Sequence, residues 1–319
     1  SFREPRQVEG RVVCPCFNDG TTVWTFPVIG GYVGGDTVAC MVATDMDRAE
    51  ESQIVVDIGT NGEVALGNRD GWITTSAPAG PAFEGALISC GMRGAPGAIE
   101  HVRIEEDRMI VDVIGQQVPI GICGTGLIDA AAMLLDAGVL DSTGRLLPRD
   151  ELTENVPEWV AARVVERDGE NAFRVFDPAT DAFYANGGTP EAVYLTQKDF
   201  RELQLAKGAV ATAFDLVLKH RGVRLEDLCC IHLAGAFGNY LRPAQARRIG
   251  LLPDIPLEKI HFIGNAASTG AKRVLLSHED RERAVHIAAA SEHLELAGDP
   301  SFQMCYAEHM MFPESIASD

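Results

Sequence analysis

The chain predicts an α/β fold in which glycine-rich turns close apolar strands and lead into helices. Three short apolar runs, at residues 53–56, 229–232 and 259–261, carry this expectation. Each leads into a small-residue turn: Asp57-Ile-Gly-Thr-Asn-Gly62, Leu233-Ala-Gly-Ala-Phe-Gly238 and Phe262-Ile-Gly-Asn-Ala-Ala267. Between them, stretches with period-two hydrophobicity alternate with stretches of helical period. Strand ends of this kind deliver bare backbone N–H groups to one edge of a sheet, and such an edge suits a phosphate.

The composition sets the remaining bounds. With 319 residues, 46% of them hydrophobic and 23% charged, the chain is long enough for one large or two medium globular domains. A formal net charge of -19 argues against duplex nucleic acid or an anionic membrane surface as a partner, since both would be repelled. The uncharged run at residues 20–35 is broken by Pro27 and by glycines, so no spanning segment is expected and a cytoplasmic location is the default. The eight cysteines are scattered and show neither Cys-x4-Cys-x2-Cys nor paired Cys-x2-Cys spacing. Neither an iron–sulfur site nor a zinc ribbon is therefore expected in this chain, and Cys14-Pro-Cys16 alone is weak evidence for a metal. The first residue is Ser1, and residues 11–15 already read as a strand, so the chain is expected to be part of a longer polypeptide.

Along the chain, residues 24–29 form the clearest early apolar run, and Asp36 reads as the N-cap of a helix over 37–46. A meander follows, with strands at 53–58, 63–67 and 71–76. Its first turn carries Asn61-Gly62, a hairpin signal because both residues tolerate positive φ. Residues 82–90 are compatible with a helix, 101–105 and 109–114 with a hairpin, and 124–136 with a helix stopped by Gly138. The proline-punctuated stretch 139–195 reads as an insertion with a hairpin across 164–175. Thr196 then caps a long helix to about residue 220. Further helices are expected at 243–249, 266–277, 280–291 and 302–310, with a strand at 293–296.

Within this frame, Asp57 could hold a hydrated divalent cation while the amides of Gly59, Thr60, Asn61 and Gly62 meet phosphate oxygens; an ordinary hairpin would use the same residues. Gly235, Ala236, Phe237 and Gly238 would let a planar base lie against bare backbone, or would simply connect strand to helix. Gly264 and Asn265 precede a helix whose Gly270 could serve close packing. Gly124, Thr125 and Gly126 open a helix and offer an anion site next to Cys123, with Asp129 one turn on as a further metal candidate; the alternative is a structural turn over a buried thiol. Lys207 could reach a ribose or phosphate, or lie on a solvated helix face. Arg242, Arg247, Arg248, Lys272 and Arg273 could steer an anion or stay surface charge. No Gly-x-Ser-x-Gly or His-Glu-x-x-His occurs, so catalytic triads and zincin chemistry have no support.

Taken together and in order, the glycine turns resemble the nucleotide-binding half of the ASKHA superfamily of acetate and sugar kinases, Hsp70 and actin. Residues 57–67 look like its second phosphate loop, 233–240 its adenosine motif and 263–272 its second connecting helix. More narrowly, the chain resembles the C-terminal region of the reductive activators of corrinoid proteins. The phrases that carry this resemblance include Gly30-Gly-Tyr-Val-Gly-Gly-Asp-Thr37, Ala79-Gly-Pro-Ala-Phe-Glu-Gly85, Cys90-Gly-Met-Arg-Gly-Ala-Pro-Gly-Ala-Ile-Glu100, Ile122-Cys-Gly-Thr-Gly-Leu-Ile-Asp129 and Gly264-Asn-Ala-Ala267. The resemblance implies an RNase H-like second lobe over residues 51–319, with residues 1–50 as the tail of the first lobe. It also implies ATP and Mg2+ as ligands, with Asp57 positioning the cation through water. Members use ATP to drive electrons from a [2Fe–2S] domain onto an inactive Co(II) corrinoid, regenerating Co(I) on a partner protein of a methyltransferase system. Here the cluster domain and an Asp-x-Gly-Thr-Thr phosphate loop are absent, so the redox step is expected of the parent polypeptide. Alternatives are a corrinoid-protein-docking module with vestigial loops and a small-molecule kinase, and a homodimer is compatible with any of them.

Overall fold

The computed structural model describes residues 4–183, 186, 189–235 and 240–314. A hairpin of β1 (Gln7–Glu9) and β2 (Thr22–Trp24) brackets a single helical turn, α1 (Gly10–Val13), where a strand was expected. Beyond Trp24 the apolar run leaves the ladder, and Pro27 has no N–H to continue it. Helix α2 (Gly35–Ala43) begins one residue before Asp36. Asp36 thus sits in the first turn rather than at the N-cap, its Oδ1 accepting from Thr37 N at 2.8 Å.

The meander follows as β3 (Gln53–Ile58), β4 (Gly62–Asn68) and β5 (Gly71–Ala77), all as expected. The chain then leaves this sheet until residue 230. It first builds a three-stranded sheet of β6 (Ala98–Glu105), β7 (Arg108–Val113) and β8 (Gly121–Ile122), and then α3 (Gly124–Asp136) and the short α4 (Glu158–Ala161). A second three-stranded sheet of β9 (Val164–Arg167), β10 (Glu170–Phe176) and β11 (Val193–Thr196) leads into the long α5 (Gln197–Arg221). The helix expected over 82–90 is instead one 3-10 turn at Pro81–Glu84. Gly85 (φ +79°) and Leu87 (φ +67°) take left-handed conformations that no α-helix accepts, and a Cβ on Gly85 would lie 2.4 Å from the Met92 carbonyl oxygen.

Returning to the main sheet, β12 (Cys230–Ala234), α6 (Pro243–Arg248), β13 (Ile260–Gly264), α7 (Ala266–Leu276), α8 (His278–Ala290), β14 (Glu292–His293) and α9 (Phe302–Met310) complete the chain. The sheet order is β13-β12-β3-β4-β5-β14. Strands β13, β12 and β3 run parallel, β4 is antiparallel to both neighbours, and β14 adds in parallel to β5. In β3 the side chains alternate: Ile54, Val56 and Ile58 join the core shared with α3 and α5, while Val55 joins the one beneath α2 and α8. Both faces are covered, which is why the strand reads as an unbroken apolar run.

Two local devices fix the helices that flank the sheet. Thr196 and Asp199 form a capping box at the start of α5, and Gly222 closes its far end in the left-handed conformation. On the opposite face, Gly270 of α7 lies so close to α2 that a Cβ there would meet the Ala39 carbonyl oxygen at 1.9 Å. The expected packing role of Gly270 is thus what the structure shows.

Candidate functional site

The parallel register brings the three glycine turns to one edge. Ala234 pairs with Asp57 on one side and with Gly264 on the other, so β3, β12 and β13 end in line. Gly235 follows at φ +86°, and a Cβ at that position would meet Asp57 Oδ1 at 2.4 Å. Only glycine at position 235 lets the backbone come this close to the Asp57 carboxylate. Ala236, Phe237 and Gly238 lie outside the described residues. Gly264 also takes a left-handed φ of +62°, and Asn265 caps α7, its Oδ1 accepting from Ser268 N at 2.8 Å.

The first turn is built differently from the sequence expectation. Neither Asn61 nor Gly62 has positive φ. Instead Gly59 N donates to Asn61 O at 2.9 Å, which closes the bend. Gly62 is required by packing: a Cβ would stand 2.9 Å from Val210 Cγ2 of α5. Thr60 is tied on both sides, its carbonyl accepting from Gly80 N at 2.9 Å and its hydroxyl donating to Glu84 Oε1 at 2.5 Å.

Asp57 is the electrostatic centre of the edge. Burial first, and the nearby Asp36 second, hold its carboxyl above the usual carboxylate range. Glu63, paired with Asp57 across β3 and β4, is raised by burial and again by Asp36 and Asp57, against a hydrogen bond from Ser76 Oγ at 3.1 Å. Burial and these three carboxylates push the Cys40 thiol up to about 12. No salt bridge reaches Asp57 among the described residues. A desolvated carboxylate with two acidic neighbours and no cation fits a hydrated divalent ion, which keeps its own waters and needs few protein ligands. The described residues contain no cluster of three ligating side chains.

Beside this edge lies a cavity of about 440 Å³, lined by Phe83, Glu84, Arg93, Glu100, Cys123, Gly124, Thr125 and Tyr240, among others. Gly124 and Thr125 are therefore brought next to Glu84, which holds Thr60. Gly126 packs α3 onto β6, since a Cβ there would meet the Ile99 carbonyl at 2.4 Å. Cys123 is buried, its Sγ 3.4 Å from Ile99 O and 3.3 Å from Thr125 Oγ1, which is the buried thiol of the structural-turn alternative.

Other candidates are drawn elsewhere. Lys207 is 1% exposed, its ammonium donating to Met311 O and lying 5.0 Å from the Phe312 ring centroid. It is neither solvated nor aimed at the sheet edge, and burial pushes it down to about 7. Asp129 is buried against His101 Nδ1 at 2.9 Å and Arg242 at 3.3 Å. The arginines expected to steer an anion are likewise engaged: Arg248 with Asp136, Arg273 with Asp45, and Arg247 Nη1 with Ile255 O at 2.6 Å. Sequence reasoning missed Asp36, Glu63 and Glu84. Glu63 was accessible in principle, since two-residue alternation in a paired hairpin puts it on the face of Asp57; Asp36 and Glu84 arrive through tertiary packing.

Comparison with known proteins bears on the family and the fold. Residues 51–318 match the family described as the C-terminal domain of RACo, the ASKHA domain. The chain is 39% identical over 303 residues to the corrinoid activation enzyme RamQ of Eubacterium limosum, covering 94% of this chain and 49% of that protein. It is 29% identical to the [Co(II) methylated amine-specific corrinoid protein] reductase of Methanosarcina barkeri, over 88% of this chain and 49% of that protein. A solved reductive activator for corrinoid, iron-sulfur protein superposes with a TM-score of 0.80 at 33% identity, over 93% of this chain and 45% of that one. The chain thus spans about half the length of the relatives it matches. It belongs to the family of RACo C-terminal domains, the ASKHA domain.

Proposed function

We propose that this chain is the ATP-binding part of a reductive activator that returns a Co(II) corrinoid protein to Co(I) for methyl transfer. The observation that carries the reading is the register of β3, β12 and β13, which sets Asp57, Gly235 and Gly264 side by side at one sheet edge. The activities for which the relatives are named, corrinoid activation and Co(II) corrinoid protein reduction, supply the reaction class. Electrons would come from a [2Fe–2S] domain outside these residues.

In this reading the amides of the 59–62 turn other than Gly59 N, which Asn61 O already engages, would meet the phosphates, and Asp57 would orient a Mg2+ ion through its water shell. When bound, the ion would neutralise charge on the phosphate chain. Asp57 would gain a counter-charge that the described residues do not supply, so the cation and the nucleotide would bind together. Thr60 is kept in register by Glu84. Residues 1–50 would be the tail of a first lobe, and α2 crossing α7 at Gly270 its connection to the second. Because nucleotide shifts a domain equilibrium only by its differential affinity for the two states, this crossing is where closure would be felt. A cytoplasmic location and a corrinoid protein partner follow from the same reading.

Titration calorimetry of the chain with ATP, with and without Mg2+, tests it. Wild type should bind with a magnesium-dependent gain that Asp57→Ala removes. An unchanged isotherm in the variant would take Asp57 out of the site, and no binding by wild type would remove the nucleotide.

A further inference from the structure

A pair of thiols far from the sheet edge in sequence is unused by anything above. Cys14 ends α1, its N–H donating to Gly10 O at 2.8 Å, and it opens a tight turn in which Phe17 N donates to Cys14 O at 3.1 Å. Pro15 occupies the second position of that turn, where its fixed φ is already correct. Cys16 has no positive φ, so the bend has the type I sense. Two cysteines at the first and third positions of such a turn present their side chains to the same side. Their sulfur atoms face each other at 2.6 Å, with Cys16 exposed and Cys14 half-exposed.

We propose that Cys14-Pro-Cys16 is a thiol–disulfide exchange site that accepts low-molecular-weight disulfides of the glutathione class. The Cys14 thiolate attacks one sulfur of the small disulfide, forming a mixed disulfide and releasing one small thiol. Cys16, losing its proton to solvent, then attacks the Cys14 sulfur. The Cys14–Cys16 bond forms and the second small thiol leaves, so the two protein thiols are oxidised by two electrons and the small disulfide is reduced to two thiols. The turn already holds the two sulfurs in contact at 2.6 Å, so each is within reach of the other for ring closure.

The division of roles follows from the contact between the two groups. The mutual contact of the two thiols holds Cys14 below the usual thiol range and Cys16 above it. Cys14 is thus the nucleophile and Cys16 the resolving thiol. Four of the other six cysteines are closed off, while Cys90 and Cys229 are half-exposed like Cys14. Cys40, Cys123, Cys230 and Cys305 are buried, and burial pushes both Cys40 and Cys230 up to about 12.

The test equilibrates the full 319-residue chain, freed of metal by a chelator, in buffers of graded reduced to oxidised glutathione, then alkylates, digests with trypsin and weighs the peptides. Cleavage after Arg11 and Arg48 isolates a peptide of residues 12–48 that holds Cys14, Cys16 and Cys40. The expected product has lost two hydrogens and carries one alkyl group, on Cys40. Cys16→Ser should instead accumulate a glutathione adduct on Cys14, and Cys14→Ser should react more slowly than wild type. The proposal is overturned if wild type keeps three alkylatable thiols throughout, if glutathione stays on both Cys14 and Cys16, or if the bridge runs to Cys40.

Discussion

Replacing Gly235 by alanine probes the junction on which the nucleotide reading depends. Two effects can be separated. At φ +86° an alanine pays the left-handed strain of about 1–2 kcal/mol, which in a chain of this size lowers the melting temperature by about 2–4 °C. Its Cβ would also stand 2.4 Å from Asp57 Oδ1, so the carboxylate must retreat by about 1 Å to reach ordinary contact. A side-chain oxygen moves at little cost in stability, but a cation positioned through it is misplaced, and magnesium-dependent affinity for ATP should fall by about 10- to 100-fold. Gly222→Ala is the control. Gly222 has a comparable φ of +65° and no atom within 4 Å of the added Cβ, so it carries the strain without the displacement. Differential scanning calorimetry and ATP titration of both variants read the two effects apart. Equal stability losses with unchanged ATP affinity in Gly235→Ala would refute the reasoning.

Three further perturbations follow from the same contacts. Asp57 has a carboxyl raised above its unfolded value, so the folded state holds that proton more tightly, and stability is lost as pH climbs from the unfolded pKa through the folded one. Asp57→Asn should therefore stabilise the nucleotide-free chain at neutral pH and lose that advantage in acid, which urea unfolding at the two pH values measures; a less stable variant at neutral pH would contradict it. Gly270→Ala forces α7 away from the Ala39 carbonyl and should cost about 1–3 kcal/mol, visible as a lower urea midpoint, whereas an unchanged midpoint would deny the close crossing. For Lys207, pushed down to about 7 by burial from an unfolded value near 10.5, the unfolded chain binds more protons between those limits, so stability rises with pH across that window. Lys207→Met should flatten that rise in thermal melts from pH 7 to 10, and a persisting slope would place its origin elsewhere.

What the sequence disclosed and what it hid divide along physical lines. Strands β3, β4, β5 and β12 were legible because each is an apolar run bounded by glycine, and α5 because Thr196 and Gly222 mark its ends. The convergence of the three turns was legible too, since parallel strands of similar reach end together. The helix expected over 82–90 failed because Gly85 lets the chain double back on Met92, a contact that no local pattern encodes. Gly62 was read as a turn residue although its neighbour Val210, far along the chain, is what excludes a side chain there. Lys207 looked solvated because the segment that covers it, Met311 and Phe312, is remote in sequence. Asp36 was recognised as a helix-start residue, while its effect on Asp57 required α2 to be laid across the sheet.

The claim at the centre of the account is that a purine triphosphate is held where β3, β12 and β13 end. Hydrogen exchange of the chain, read by mass spectrometry with and without Mg2+ and a non-hydrolysable ATP analogue, tests it most directly. The account predicts slower exchange in residues 57–62, 233–240 and 262–267 and no change in the hairpin of β9 and β10. Unchanged exchange in those three turns, with protection appearing elsewhere, would contradict it.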